Sequence, residues 1–257
     1  MVYPIVWMLF SSLKPENEMF ASQSLLPQAF DWANYVEGWF GLREPFSTFF
    51  INSFLISLGA VVGNLLSCSM AAYAFARLEF RARALWFAIM LMTIMLPYQV
   101  TLIPQYSLFF RLGWVNTFLP LIVPKFLATD AFFIFLFVQF IRGIPRELDQ
   151  AAKIDGAGPV RIFVAIIFPL LRPALVTGAI FTFLWTYNDF FSQLIYISDI
   201  GLYTVPLGLR MFLDMSGTSS WGPMFAMGTL SLLPMIVVFV VFQRRIVEGI
   251  STTGLKG

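Results

Sequence analysis

Five apolar stretches dominate this sequence: Thr48–Ala76, Leu85–Phe110, Thr117–Ile141, Ile162–Ile197 and Pro223–Phe242. Each is long enough to cross a hydrocarbon core of about 30 Å at about 1.5 Å of helix rise per residue. Only 12% of the 257 residues are charged, whereas a soluble domain of this length carries about a quarter. The chain is therefore expected to be all-α, a polytopic transmembrane helical bundle, and water-soluble folds are excluded. Met1–Leu13 is apolar but covers only about 20 Å. It reads as the outer part of a first spanning helix whose beginning is missing, which brings the expectation to about six spans with the first incomplete. It lacks a basic leader and a small-residue cleavage site, so it does not read as a signal peptide.

Several spans carry internal signals. Thr48–Ala76 is rich in small residues (Ser53, Ser57, Gly59, Gly63, Ser67, Ser69, Ala71, Ala72), which let helix backbones approach closely in lipid, so it is expected inside the bundle. Leu85–Phe110 is interrupted by Pro97 and Pro104, and Thr117–Ile141 is broken at Pro120 and Pro124. Ile162–Ile197 carries Pro169 and Pro173 near its inner end. Lys14–Ser47 reads as an extramembrane loop with short amphipathic pieces at the interface. Arg111–Asn116 is a tight outer loop, and Asp199–Gly222 is a longer one.

Basic residues set the orientation. Arg77, Arg81 and Arg83, then Arg142, Arg146, Lys153, Arg161 and Arg172, then Arg244, Arg245 and Lys256 all fall on one side. The opposite side holds Lys14, Arg43, Arg111 and Arg210 with an excess of carboxylates. The positive-inside rule places the first side, including the 142–161 loop and the C-terminus, in the cytoplasm. The chain has one cysteine, Cys68, and no histidine. No internal disulfide can form, Cys68 reads as a small packing residue, and imidazole bases, relays and metal ligands are excluded. No metal site is expected.

The 142–161 loop holds the chain's one strongly patterned polar segment. Pro145 suits the first turn of a helix, and Glu147 and Asp149 complement the positive end of its dipole. Leu148, Ala151, Ala152 and Asp155 are spaced to share one face. Gly156 can take a left-handed stop, and Pro159 can start the next helix. The pattern predicts a short helix, a sharp turn and re-entry into the membrane, a docking element for a cytoplasmic partner.

Glu147-Leu-Asp-Gln-Ala-Ala-Lys-Ile-Asp-Gly156, continuing to Ile166-Ile167-Phe168-Pro169, resembles the EAA loop of binding-protein-dependent ABC importers. Gln150 stands where that family has glutamate, and Phe168 where it has leucine. Ser11-Ser12-Leu13-Lys14-Pro15-Glu16, Asn52-Ser53, Ala71-Ala72-Tyr73-Ala74-Phe75-Ala76-Arg77, Trp185-Thr186-Tyr187-Asn188-Asp189-Phe190 and the Gln243–Gly257 tail extend the resemblance along nearly the whole chain. The subgroup it is similar to is the second permease of maltose-type and glycerol-phosphate-type carbohydrate importers. That resemblance implies a single permease domain over 1–257, with its core at about 48–243. It implies a complex with a second permease, two ATP-binding subunits and an extracytoplasmic solute-binding protein in the bacterial inner membrane.

ATP and Mg are then expected on the partner subunits. This chain lacks a Gly-x-x-x-x-Gly-Lys-Ser/Thr loop and is expected to bind no cofactor, no nucleic acid and no catalytic metal. The coupling set implied is Glu147, Asp149, Gln150, Ala151, Ala152, Asp155 and Gly156, with Glu147 or Asp149 carrying the charged contact that Gln150 does not supply. The outer loop 199–222 is similar to one that meets the binding protein, with Met215–Ser220 the segment to shorten in a test.

Candidate path residues are Lys125 and Asp130, because ionisable groups at membrane depth face an interior or a wet cavity. The competing reading is that Lys125 snorkels or that the two simply pair. Trp185, Tyr187, Asn188 and Asp189 offer aromatic faces and polar groups suited to a sugar, against an aromatic belt with capping side chains. The function expected is inward movement of a sugar or oligosaccharide, driven by ATP hydrolysis on other subunits, with no catalytic site on this chain. A membrane-embedded enzyme acting on lipid-linked sugars is the alternative class. It needs paired carboxylates, and the sequence has no Asp-x-x-Asp or Asp-x-Asp. Co-purification with an ATPase subunit would separate the two.

Overall fold

A computed structural model describes residues 2–19, 24–214 and 220–254, with side chains for all of these except 214 and 243–254. The elements described are helical, with no strand among them. Among the described residues three helices are long and apolar enough to cross a membrane: Phe46–Arg77, Leu119–Arg142 and Trp221–Phe242. Two bent pairs, Arg83–Thr93 with Tyr98–Arg111 and Pro159–Leu170 with Arg172–Tyr187, bring the total to five. These are the five apolar stretches of the sequence. The first helix, Tyr3–Ser11, has nine residues and is too short to span.

The proline positions account for the breaks in two of three cases. Pro97 ends Arg83–Thr93 and caps Tyr98–Arg111, and the pair bends by 99°. Pro104, expected to interrupt the same span, instead lies inside Tyr98–Arg111. In the next span the break is not at Pro120 or Pro124 but after them. A 3-10 turn Val123–Leu127 ends on Ala128, a left-handed residue at φ 54°, and Asp130 then opens Ala131–Arg142.

Ile162–Ile197 is not one helix. A π-turn Phe163–Ile167 precedes Pro169, and the pair bends by 75° before Arg172–Tyr187. Pro169 and Pro173 each lack the N–H that would bond the carbonyl four residues back, so the ladder fails there twice. At its C-terminal end the helix stops at Tyr187, and a separate helix, Phe191–Tyr196, follows.

The chain divides into two compact units. One comprises Met1–Ile56, Asn116–Phe118 and Tyr187–Val238. In it Asn52 Nδ2 donates to the carbonyls of Gly201 and Tyr203, at 3.0 and 2.8 Å, and Val205 N donates to Ser53 Oγ at 2.9 Å. The Asn-Ser pair thus pins the segment 201–205 and satisfies the first N–H of the helix Val205–Asp214, which would otherwise be an orphan. Phe46 stacks on Phe212, and Lys14, which the sequence places in a solvated loop, is buried with Nζ donating to Ser24 O at 2.5 Å. Met215–Ser220 lies outside the described residues except for Ser220, as do Lys256 and the last residues of the basic tail.

The other unit comprises Ser57–Val115, Leu119–Thr186 and Phe239–Gly257. Its core joins Cys68, Ala72, Tyr73 and Ala76 to Phe133, Phe137, Ile141, Ile144, Ala152, Ile162, Ile167 and Leu171. Of the three single-helix spans, the small-residue helix Phe46–Arg77 is the most enclosed: 44% of its apolar window is buried, against 17% for Trp221–Phe242. Gly59 and Gly63 lie against Ile122 and Phe126, where a Cβ on Gly63 would come within 2.5 Å of the Phe126 ring. The glycines are what allow the irregular 3-10 segment to pack so close.

Candidate functional site

The helix Glu147–Ile154 forms as its sequence predicts. Glu147 and Asp149 occupy its first turn and Lys153 its last, each with the sign that suits the dipole. Pro145 precedes the helix rather than starting it. At the far end Gly156 adopts φ 78°, with Gly156 N donating to Lys153 O at 3.0 Å and Ala157 N to Ala152 O at 2.8 Å. This is a Schellman-type stop, and Pro159 opens the next helix three residues later.

The faces of this helix are not those its spacing suggests. Ala152 is buried with Asp149, while Leu148, Ala151 and Asp155 are exposed, as are Glu147 and Gln150. Ile154 is 87% exposed, and Val160 just beyond it is also bare. An outward surface of Leu148, Gln150, Ala151, Ile154 and Asp155 remains, uncovered by the rest of its unit. Asp149 points the other way. Its Oδ2 lies 3.1 Å from Arg77 Nε, and Arg77 Nη2 donates to Ile144 O at 2.5 Å. Asp149 is therefore corrected from a partner-facing to an inward-facing residue: its charge is already matched inside the chain. Glu147 is the exposed first-turn carboxylate. Beside the Arg77–Asp149 pair a cavity of about 330 Å³ separates Tyr73, Arg77 and Leu78 from Arg146, Gln150 and Lys153.

In the same unit Lys125 Nζ and Asp130 Oδ2 form an ion pair at 2.8 Å, each side chain 28% exposed. The break between Leu127 and Ala131 makes this possible, since it turns Asp130 back toward Lys125. Ser67 Oγ donates to Lys125 O at 2.6 Å, and Asn64 Nδ2 donates to Thr182 Oγ1 at 2.7 Å. Irregular backbone is tolerated at membrane depth where protein groups satisfy it, and Ser67 does so here. Cys68 Sγ donates to Asn64 Oδ1 at 3.0 Å, a packed and bonded thiol. Trp185 packs on Phe132, Phe133 and Phe181 and keeps half its surface open.

The remaining members of the aromatic cluster belong to the first unit. Tyr187 is 2% exposed, its ring against Phe54 and its hydroxyl donating to Ser231 O at 3.4 Å, so it is withdrawn as a sugar-facing residue. Asp189 Oδ1 accepts from Ser192 N at 3.0 Å, in the first turn of the helix Phe191–Tyr196. Asn188 is exposed, with Nδ2 3.4 Å from Met235 Sδ. Arg77 was missed by sequence reasoning because a basic residue at a helix end reads as topology, not as half of a buried pair.

These observations define a multi-pass α-helical membrane protein with an extramembrane helix presented between two spans. Residues 63–252 match the binding-protein-dependent transport system inner membrane component family, and the chain belongs to it. It is 34% identical over 99% of its length to the probable ABC transporter permease protein YurM of Bacillus subtilis, covering 84% of that protein. It is 32% identical to the trehalose/maltose transport system permease protein MalG of Thermococcus litoralis, over 100% of this chain and 92% of that one. To the arabinooligosaccharides transport system permease protein AraQ of Halalkalibacterium halodurans it is 31% identical, over 100% and 91%. The fold matches a chain of a bacterial ABC transporter involved in the import of the acidic polysaccharide alginate, with a TM-score of 0.83 at 22% identity, over 95% of this chain and 90% of that one. The protein is a permease subunit of the ABC-importer type.

Proposed function

We propose that this permease moves a neutral sugar or oligosaccharide inward across a bacterial inner membrane. It does so with a second permease, two ATP-binding subunits that hold ATP and Mg, and an extracytoplasmic solute-binding protein. Relatives named for trehalose/maltose and arabino-oligosaccharides support a sugar or oligosaccharide as the substrate class, and they do not carry its neutrality. One observation carries the mechanism: the capped helix Glu147–Ile154 leaves Leu148, Gln150, Ala151 and Ile154 uncovered. Exposed apolar side chains on a short rigid helix in an extramembrane loop are suited to a protein partner. The basic residues around it favour the cytoplasm, where ATP is. This chain supplies the path and the lever, and the chemistry belongs to its partners.

The neutral preference rests on the Lys125–Asp130 pair. A lone lysine at membrane depth would attract an anionic sugar, but one held at 2.8 Å from a carboxylate presents no net charge. With Trp185 in the same unit, these groups provide an aromatic face and hydrogen-bonding ends without a charge bias. Uptake by the reconstituted complex with its binding protein should favour labelled maltose, trehalose or arabinotriose over digalacturonate. Asp130→Asn frees Lys125 and should narrow that preference at least fivefold. An unaltered ratio would remove Lys125 and Asp130 from the path, and preferential digalacturonate uptake by the wild type would overturn the neutral reading.

A further inference from the structure

We infer that Arg77 and Asp149 are positioning residues, a buried ionic clasp through which the helix Glu147–Ile154 drives the span Phe46–Arg77. The inference rests on the importer reading above. The Arg77 guanidinium holds two successive parts of the coupling loop. Its Nη2 donates to Ile144 O, in the turn that follows Ala131–Arg142, and its Nε faces Asp149 Oδ2 in the first turn of the coupling helix. The two side chains are 4% and 11% exposed. One end of the span is thereby tied both to the entry of the coupling helix and to the helix itself.

Stability alone is a poor reason for such a pair. Asp149 Oδ1 is buried with no hydrogen-bond partner among the described residues, and Arg77 Nε faces Asp149 as an ion pair without making a hydrogen bond. A buried pair whose remaining lone pairs and protons are unmatched gains little over apolar side chains of similar volume. A salt bridge offers direction instead: it transmits a pull along one line and holds register. The cavity beside it points the same way. Between Tyr73 on the span, with Leu78 just past its end, and Gln150 and Lys153 on the coupling helix there is open space, so this flank of the helix is attached at the clasp rather than packed along its length. A helix held at one edge and free at another can tilt, and the clasp converts the tilt into displacement of the span.

The test uses the whole complex in proteoliposomes with its binding protein, measuring ATP hydrolysis together with uptake of whichever sugar of the panel above the wild type transports best. Asp149→Asn and Arg77→Gln should keep ATP hydrolysis within about threefold and lose at least tenfold in sugar moved per ATP. Arg77→Lys should fall between, because lysine keeps the charge facing Asp149 without also serving Ile144 O. The double variant Arg77→Leu with Asp149→Leu guards against misfolding. It should assemble as well as the wild type, since the buried charges leave together, yet remain uncoupled. A double variant that transports at the wild-type ratio would overturn the clasp, as would single variants that lose assembly while the surviving complexes keep the wild-type ratio. A wild-type complex with no ATP-driven uptake of any sugar in the panel would instead overturn the importer reading.

Discussion

Gly63 and Lys125 show how single positions act in this protein. Gly63 has helical backbone and no conformational need to be glycine; its role is space, since a Cβ would lie 2.5 Å from Phe126 Cδ2. Overpacking of this kind costs about 1–3 kcal/mol. Gly63→Leu should therefore lower the thermal unfolding midpoint of the detergent-solubilised protein by several degrees, with Phe126→Ala as a second change restoring part of the loss. An unshifted midpoint would mean that the 3-10 segment is not held against the helix. Lys125 and Asp130 are a different case. A pair exposed by 28% on each side chain contributes roughly 1 kcal/mol or less, so Asp130→Asn should alter selectivity without unfolding the chain. Both residues were legible as unusual from their depth in an apolar run. Their pairing, one of the readings the sequence left open, is settled by the left-handed turn at Ala128 that reverses the chain between them.

Among the elements, the coupling helix was the most legible. First-turn carboxylates, the last-turn lysine, Gly156 and Pro159 are local signals, and local signals act over one helical turn whatever surrounds them. Its inward face was not legible, since Leu148 looks like a core residue and Asp149 like a surface one. The core behind the helix is already filled by Tyr73, Ile144 and Ile162, leaving room for Ala152, while the Arg77 guanidinium draws Asp149 inward. Glu147 is then the first-turn carboxylate left exposed. Glu147→Lys should reduce binding-protein-stimulated transport at least tenfold while leaving the amount of permease in the membrane unchanged. Normal transport in that variant would place the charged contact elsewhere.

At the scale of the molecule, orientation is the property on which the mechanism depends. Cys68 is buried, so single cysteines introduced elsewhere can be read against a quiet background. Lys153→Cys should react with a membrane-impermeant maleimide only from the cytoplasmic side, and Asp199→Cys only from the outside. The reverse pattern would put the coupling helix on the wrong face for an ATP-driven partner. The resemblance in sequence runs the full length of the chain, so the family was legible before the fold. The lengths of the spans were not: the 75° and 99° bends depend on which prolines actually break their ladders.

The sequence by itself determined that the chain is a helical membrane bundle and where a short capped helix interrupts the spans. Those properties follow from apolar run length and turn chemistry, each of which acts locally or against lipid. Only the tertiary structure decided which polar groups are spoken for. Lys125 is matched by Asp130, Tyr187 is buried against Phe54 and Ser231, and Asp149 belongs to Arg77. Side-chain partners far apart in the chain, Arg77 with Asp149 and Phe54 with Tyr187, are set by how helices pack, and spacing along a chain carries no record of that.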